Sequence, residues 1–317
     1  MIEVPALSIE SVIGCVPPDE VDNLSDLARL VGAAKAESIV KATGFATRRV
    51  AAQGLDVFGL ALPAARRALE GVRPEDVGGV VAVTFSHRNR FPALAVRLQD
   101  ALGLQHGVAA FDVGLACSGY PYGLFVAGQL ASATGKKVLL VDGDVQSAHV
   151  DASDANTLAV MGDGATATIV SAQGGSARFA FYTDGAGADV LRCGEDGMIR
   201  MDGFGVFRFV AGPVTGFLRE FLAQTGKPDL FVPHLANMYM VRQLAKTLEL
   251  QDRLVSTNGL YANTGSCSVP LALASAALPP ADGKALRIIA AGFGAGLSAS
   301  AANVELSSTL KRGMVEP

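Results

Sequence analysis

Apolar and polar positions fall in blocks along this chain. Gly78-Gly79-Val80-Val81-Ala82-Val83-Thr84 is a short run of small and β-branched residues, and it predicts a strand buried on both faces. Lys136-Lys137-Val138-Leu139-Leu140-Val141-Asp142 predicts a second strand, and Thr166-Ala167-Thr168-Ile169-Val170 a third. Helical patterns lie between them: residues 55–71, rich in alanine, leucine and arginine; residues 93–103, after Phe91-Pro92; and residues 118–133. The second half repeats this rhythm. Asp229-Leu230-Phe231-Val232 is strand-like, helices are expected over 238–248 and 264–277, and Leu286-Arg287-Ile288-Ile289-Ala290-Ala291 predicts a strand. Residues 171–205, rich in glycine and charge, read as a junction, and a helix over 206–224 follows. Glycine turns close both halves, Gly162-Asp163-Gly164 and Gly292-Phe293-Gly294-Ala295-Gly296. Alternating strands and helices predict an α/β protein. The repeat predicts two similar halves of ordinary domain size, 1–172 and 173–317.

Two stretches complicate this picture. Residues 113–135 carry no charge and are long enough to span a bilayer. They also hold Pro121, Gln129 and five glycines. Residues 254–282 are poor in charge but broken by Pro270 and by Pro279-Pro280. Two helices buried in a soluble core, apolar all round, are therefore expected, and no membrane span.

Composition agrees. Of 317 residues, 50% are hydrophobic and 18% charged, so a large core can form. A net charge of −4 gives no reason to expect nucleic acid or an anionic membrane as partner. Cys15, Cys117, Cys193 and Cys267 are widely spaced, with no C-x-x-C pair and no zinc spacing. That reads as a reduced, cytoplasmic protein without a metal site. The N-terminus lacks the basic and apolar blocks of a secretory signal.

The chemistry centres on Cys117, in Phe111-Asp112-Val113-Gly114-Leu115-Ala116-Cys117-Ser118-Gly119-Tyr120. A strand-like run leads in and an uncharged helix follows. At a helix start, unpaired N–H groups and the helix dipole favour the thiolate, the form that attacks thioesters. His234 ends a predicted strand, where parallel sheets present catalytic groups. Asn263 precedes the buried helix of 264–277. Taken singly, each has an ordinary use: a small buried hydrophobe, a structural hydrogen-bonder, a helix cap. Together they supply a nucleophile and two donors for an enolate oxygen, and Asn remains a donor at any neutral pH. His87, His106 and His149 show no such partnership, nor do the other cysteines. The glycine turns lack the strand–GxGxxG–helix context of a nicotinamide site, and no cofactor is expected.

Order and context add more. ATGFATRRVA, FDVGLACSGYPYGL, GDGATATIV, VPHLAN, ANTGSCSVP and GFGAGLSAS resemble, in sequence order, the motifs of the thiolase superfamily, specifically ketoacyl-acyl-carrier-protein synthase III. The likeness runs from about residue 8 to about residue 303. It implies a duplicated five-layer αβαβα thiolase-like fold and a homodimer. It implies Cys117 as the acylated nucleophile, His234 and Asn263 as ligands of the extender, and the backbone N–H groups of Cys117 and Ala295 as the oxyanion hole. Phe91, reaching across the dimer, Phe204 and Phe293 would wall the acyl tunnel. The family's coenzyme A clamp is altered, with Ser38, Ala42, Ala155 and Tyr239 at its four positions, and the junction 171–205 is shorter. Acyl and malonyl thioesters on acyl-carrier protein are therefore expected as partners ahead of coenzyme A. Arg208, Arg242 and Lys246 are candidate docking residues; the last two share a helix face. The reaction expected is acylation of Cys117 followed by decarboxylative condensation, in a specialised fatty-acid or polyketide pathway. The alternative is transfer of the acyl group to an alcohol or amine without condensation.

Overall fold

The computed structural model describes residues 1–89, 91–279 and 284–317. Pro280, expected to help break the second apolar stretch, lies outside them. The first half forms β1 (Ile2–Val4), β2 (Ser8–Cys15), β3 (Glu20–Asp22), α1 (Asn23–Val31), α2 (Ala33–Thr43) and β4 (Thr47–Arg49). It continues with α3 (Val57–Ala68), β5 (Val77–Val83), α4 (Leu94–Ala101), β6 (Ala109–Val113), α5 (Gly119–Thr134), β7 (Lys137–Val145), α6 (Ala155–Leu158) and β8 (Asp163–Ser171). Then come β9 (Ala177–Thr183), β10 (Leu191–Cys193), β11 (Ile199–Met201), α7 (Gly203–Phe209) and α8 (Thr215–Thr225). The chain closes with β12 (Leu230–Pro233), α9 (Met238–Thr247), α10 (Ser268–Ser275), β13 (Leu286–Gly294) and β14 (Ser298–Val315).

Two sheets result. The first runs β2-β8-β7-β5-β6, with β5 parallel to both β6 and β7. The second runs β1-β9-β14-β13-β12, with β12 and β13 parallel. Every residue of β5 and β8 is buried, as strands covered on both faces require. The uncharged helices explain the cover. α5 and α10 lie between the sheets, where Leu124, Ala127, Val269 and Leu273 join one core with Val81, Val138 and Ile288. α3 and α4 pack outside the first sheet, and α8 and α9 outside the second. The layers are helix, sheet, helix, sheet, helix: the duplicated αβαβα arrangement. Among the described residues, no helix is long and apolar enough to cross a membrane.

Three local expectations change. Residues 171–205 are not only a junction: they contain β9 and the β10–β11 hairpin. Glycines and charges mask the alternation of Ala177 and Phe179, both fully buried. The helix of 206–224 begins earlier, as α7, and passes through a π-turn at Val210–Val214 into α8. The helix of 264–277 starts as a 3₁₀ turn, Gly265–Cys267, so Asn263 stands before that turn and not at the first residue of α10. β14 is 18 residues long. Residues Ser298–Leu306 pair with β13, and Lys311–Val315 pair with β2 of the first sheet.

Candidate active site

Cys117 sits in the turn between β6 and α5. The turn closes when Gly119 N–H donates to the Ala116 carbonyl at 2.8 Å. The second half holds it in place. Ser118 Oγ meets Ser298 Oγ at 2.7 Å, and Ser300 Oγ donates to the Ser118 carbonyl at 2.7 Å. Gly292 and Gly294 let β13 approach: a Cβ at Gly294 would lie 2.8 Å from the Cys117 Cβ.

His234 leaves the end of β12, its N–H donating to the Ala291 carbonyl at 2.7 Å. Ser268 Oγ accepts from the next N–H, that of Leu235, at 2.8 Å. The imidazole packs edge-on against Phe293, ring centres 5.4 Å apart. Its Nδ1 is buried with no partner among the described residues.

Asn263 is strapped to the first half. Its N–H donates to the Val160 carbonyl at 2.9 Å, and its carbonyl accepts from Gly162 N–H at 2.8 Å. Its Oδ1 accepts from Gly265 N–H at 2.9 Å, which leaves Nδ2 as the free end of the amide. In the electrostatics of the site the Asn263 amide favours the ionised form of Cys117. Cys117, His234 and Asn263 line one cavity of about 950 Å³, and Phe293 and Ala295 line it as well.

Burial sets the charges. It pushes the Cys117 thiol up to about 12, the nearby Asp144 adding to the effect, while its own backbone N–H and Asn263 pull the other way. Burial therefore works against the expected thiolate: Cys117 is 7% exposed, and desolvation opposes the helix start. Burial also lowers His234 to about 3, so the imidazole is neutral. Both shifts favour the neutral forms, thiol and imidazole. Asp144 accepts from Thr84 Oγ, Phe85 N–H, Ser266 N–H and Ser266 Oγ. Burial still raises it to about 6, leaving it mainly ionised at pH 7.

The outer residues divide. Phe293 is buried in the cavity wall, as expected. Phe204 is 68% exposed and does not line it. Gly203 and Val206, three apart on α7, face the cavity, which turns Phe204 outward beneath the Arg208 guanidinium. Phe91 is 86% exposed and lies outside its own chain's cavity. Arg208, Arg242 and Lys246 do not line it either; they stand exposed on α7 and α9, whose Val206 and Met240 do. The cations at the cavity are Lys35 and Arg192, which sequence reading missed. Exposed Lys35, Ser38 and Ala42 on one side and Arg192 and Cys193 on the other mark the mouth. Gln146 and Asp144 were also missed. The one available signal was Asp142-Gly143-Asp144 ending an apolar strand, where a buried carboxylate needs a reason.

Comparison with known proteins agrees with this fold. Residues 111–185 match the family 3-oxoacyl-[acyl-carrier-protein (ACP)] synthase III, and residues 223–306 match its C-terminal part. The β-ketoacyl-[acyl-carrier-protein] synthase III of Shewanella oneidensis is 34% identical over 308 residues, covering 90% of this chain and 95% of that protein. The crystal structure of a 3-oxoacyl-(acyl-carrier protein) synthase from Burkholderia xenovorans LB400 superposes with a TM-score of 0.94 at 27% identity, covering 100% of this chain and 98% of that one. The priming β-ketosynthase of the R1128 polyketide biosynthetic pathway gives 0.86 at 30% identity, with 97% and 98% covered. With Cys117, His234 and Asn263 gathered in one cavity of the duplicated fold, the chain belongs to the 3-oxoacyl-[acyl-carrier-protein] synthase III family of condensing enzymes.

Proposed function

We propose that this enzyme acylates Cys117 from an acyl-carrier-protein thioester and then condenses the acyl group with a malonyl thioester, in a specialised fatty-acid or polyketide pathway. The observation that carries this reading is Asn263, whose amide is turned so that its donor end faces the nucleophile in the cavity shared with His234.

The chemistry follows from the resting charges. Cys117 Sγ forms a bond to the acyl carbonyl carbon as its proton leaves, and the carrier thiol departs with a proton. The proton that leaves Cys117 is the one with which the carrier thiol departs, so acylation is proton-neutral and His234 is reserved for the second half-reaction. N–H groups of Cys117 and Ala295 receive the oxyanion. The malonyl thioester then breaks its bond to carboxylate and releases CO2. The enolate oxygen accepts from His234 Nε2 and Asn263 Nδ2. Its carbon bonds to the acyl carbon, Cys117 leaves, and one proton restores the thiol.

The replacement of all four coenzyme A clamp positions supports the carrier protein as donor. Ser38 and Ala42 stand at the mouth, and neither stacks on an adenine nor pairs with a phosphate as Arg does. Arg208, Arg242 and Lys246, on the outward faces of α7 and α9, would meet the carrier's acidic surface. The edge strand β6, with Phe111 39% exposed, and the exposed Phe91 suit a second copy of the chain.

Intact-mass spectrometry and CO2 release test the reading. Cys117→Ala is expected to form no acyl-enzyme, while sedimenting as a dimer like the wild type. His234→Ala and Asn263→Ala are expected to be acylated at Cys117 yet lose CO2 release by about 100-fold or more. A wild type that releases no CO2 from any malonyl thioester, and acylates alcohols or amines instead, overturns it.

A further inference from the structure

Gln146 follows β7 directly and is 2% exposed, a buried amide in the wall of the catalytic cavity. Both hydrogens of its Nε2 are committed. One goes to the Gly162 carbonyl at 3.0 Å and the other to the Asn263 carbonyl at 2.6 Å. The two acceptors belong to different halves of the chain, so one amide group bridges them. Two residues earlier, Asp144 holds Ser266 by its N–H and hydroxyl. The end of β7 thus grips both ends of the segment 263–266, Asp144 at one and Gln146 at the other. The remaining ties to Asn263 are the Val160 and Gly162 backbone bonds, and Gly265 N–H on its Oδ1. Within this set, Gln146 is the side chain that fixes the Asn263 main chain itself.

We propose that Gln146 is a positioning residue for decarboxylation: its amide fixes the main chain of Asn263 and so places the Asn263 Nδ2 donor at the enolate oxygen. This rests on the condensing reading above. Acylation of Cys117 depends on the turn after β6 and on the glycine segment of β13, which Gln146 does not touch in the bonds it makes. A donor displaced by about 1 Å loses about 100-fold in rate. Gln146 therefore bears on one half-reaction and not on the other.

Gln146→Met keeps the bulk and removes both donors. Gln146→Glu keeps the shape; ionised, it sets a carboxylate against two carbonyls, and protonated, it regains one donor. The expected result for Gln146→Met is a fall of about 10- to 100-fold in CO2 release from a malonyl thioester, with Cys117 acylation within about threefold of wild type. For Gln146→Glu, the deficit in CO2 release is expected to shrink as pH falls from 8 to about 5, a recovery that Gln146→Met does not show. A merely structural side chain would lower both half-reactions together and give no such recovery. Equal loss of both, or unchanged CO2 release in Gln146→Met, overturns the proposal alone. Absence of CO2 release from wild type overturns the condensing reading, and this proposal with it.

Discussion

Gly292 offers a direct probe of how the two halves make one site. It lies in β13 against the turn that carries Cys117. A Cβ there would stand 2.8 Å from the Ser118 Cα and 2.9 Å from the Cys117 carbonyl oxygen, both backbone atoms that cannot rotate away. Relaxed carbon–carbon contacts begin near 3.5 Å, so Gly292→Ala must open the gap by about 0.7 Å. The neighbouring Ala291 carbonyl holds the His234 N–H, and Ser298 and Ser300 of β14 hold Ser118. The strain therefore moves Cys117 away from His234, not the whole cluster together. Overpacking of this kind costs about 1–3 kcal/mol of stability, which a core of this size tolerates. A shift approaching 1 Å at the nucleophile costs up to about 100-fold in rate. The assay is single-turnover acylation of Cys117 followed by intact mass, beside a thermal unfolding curve. The expected outcome is a folded protein, a few degrees less stable, whose acylation slows by about 10- to 100-fold. Acylation within about twofold of wild type, in a protein that has kept its fold, refutes the claim that this close approach sets the nucleophile.

Two further outcomes follow from the charges. With the thiol pushed up to about 12, alkylation of Cys117 by iodoacetamide should rise about tenfold per pH unit from 7 to 10 without levelling, read by peptide mapping; a plateau near pH 7 would mean a resting thiolate. The sign for stability is the same as for any raised thiol: the contribution is present below the ordinary thiol range and fades as pH climbs toward 12. At the mouth, acyl-carrier-protein thioesters should load Cys117 at least about tenfold faster than the same acyl-coenzyme A, and Arg208→Glu or Lys246→Glu should slow only the carrier reaction; equal rates from both donors would end that reading.

Much of this was legible in the sequence because apolar blocks and buried strands are local. Val80–Val83 and Val138–Val141 announce themselves by β-branching, and both lie at the centre of the first sheet. Cys117, His234, Asn263 and Phe293 stand beside distinctive neighbours, and the structure brings all four to one cavity. What escaped was depth and phase. A helix start is visible in sequence, but the burial that opposes it at Cys117 is not. Phe204 is apolar and close to the cavity in sequence, yet one position of helical phase turns it to solvent. β9 was hidden because Gly174-Gly175 and Arg178 break its apolar rhythm. Gln146 and Asn263 are 117 positions apart, and no local pattern links them.

The long last strand has a consequence for how the protein is made. β1, from the start of the chain, lies in the second sheet, while Lys311–Val315 line the free edge of β2 in the first. The halves hold each other's ends like a clasp. Arg312 then donates to the carbonyls of Leu273 and Ala276, closing the far end of α10, the central helix that Asn263 leads into. During synthesis β2 therefore waits, one edge bare, until some 300 further residues have been added. The first sheet is completed only when these last residues pair with β2, so the ordering of the Cys117 side of the cavity is tied to the end of the chain.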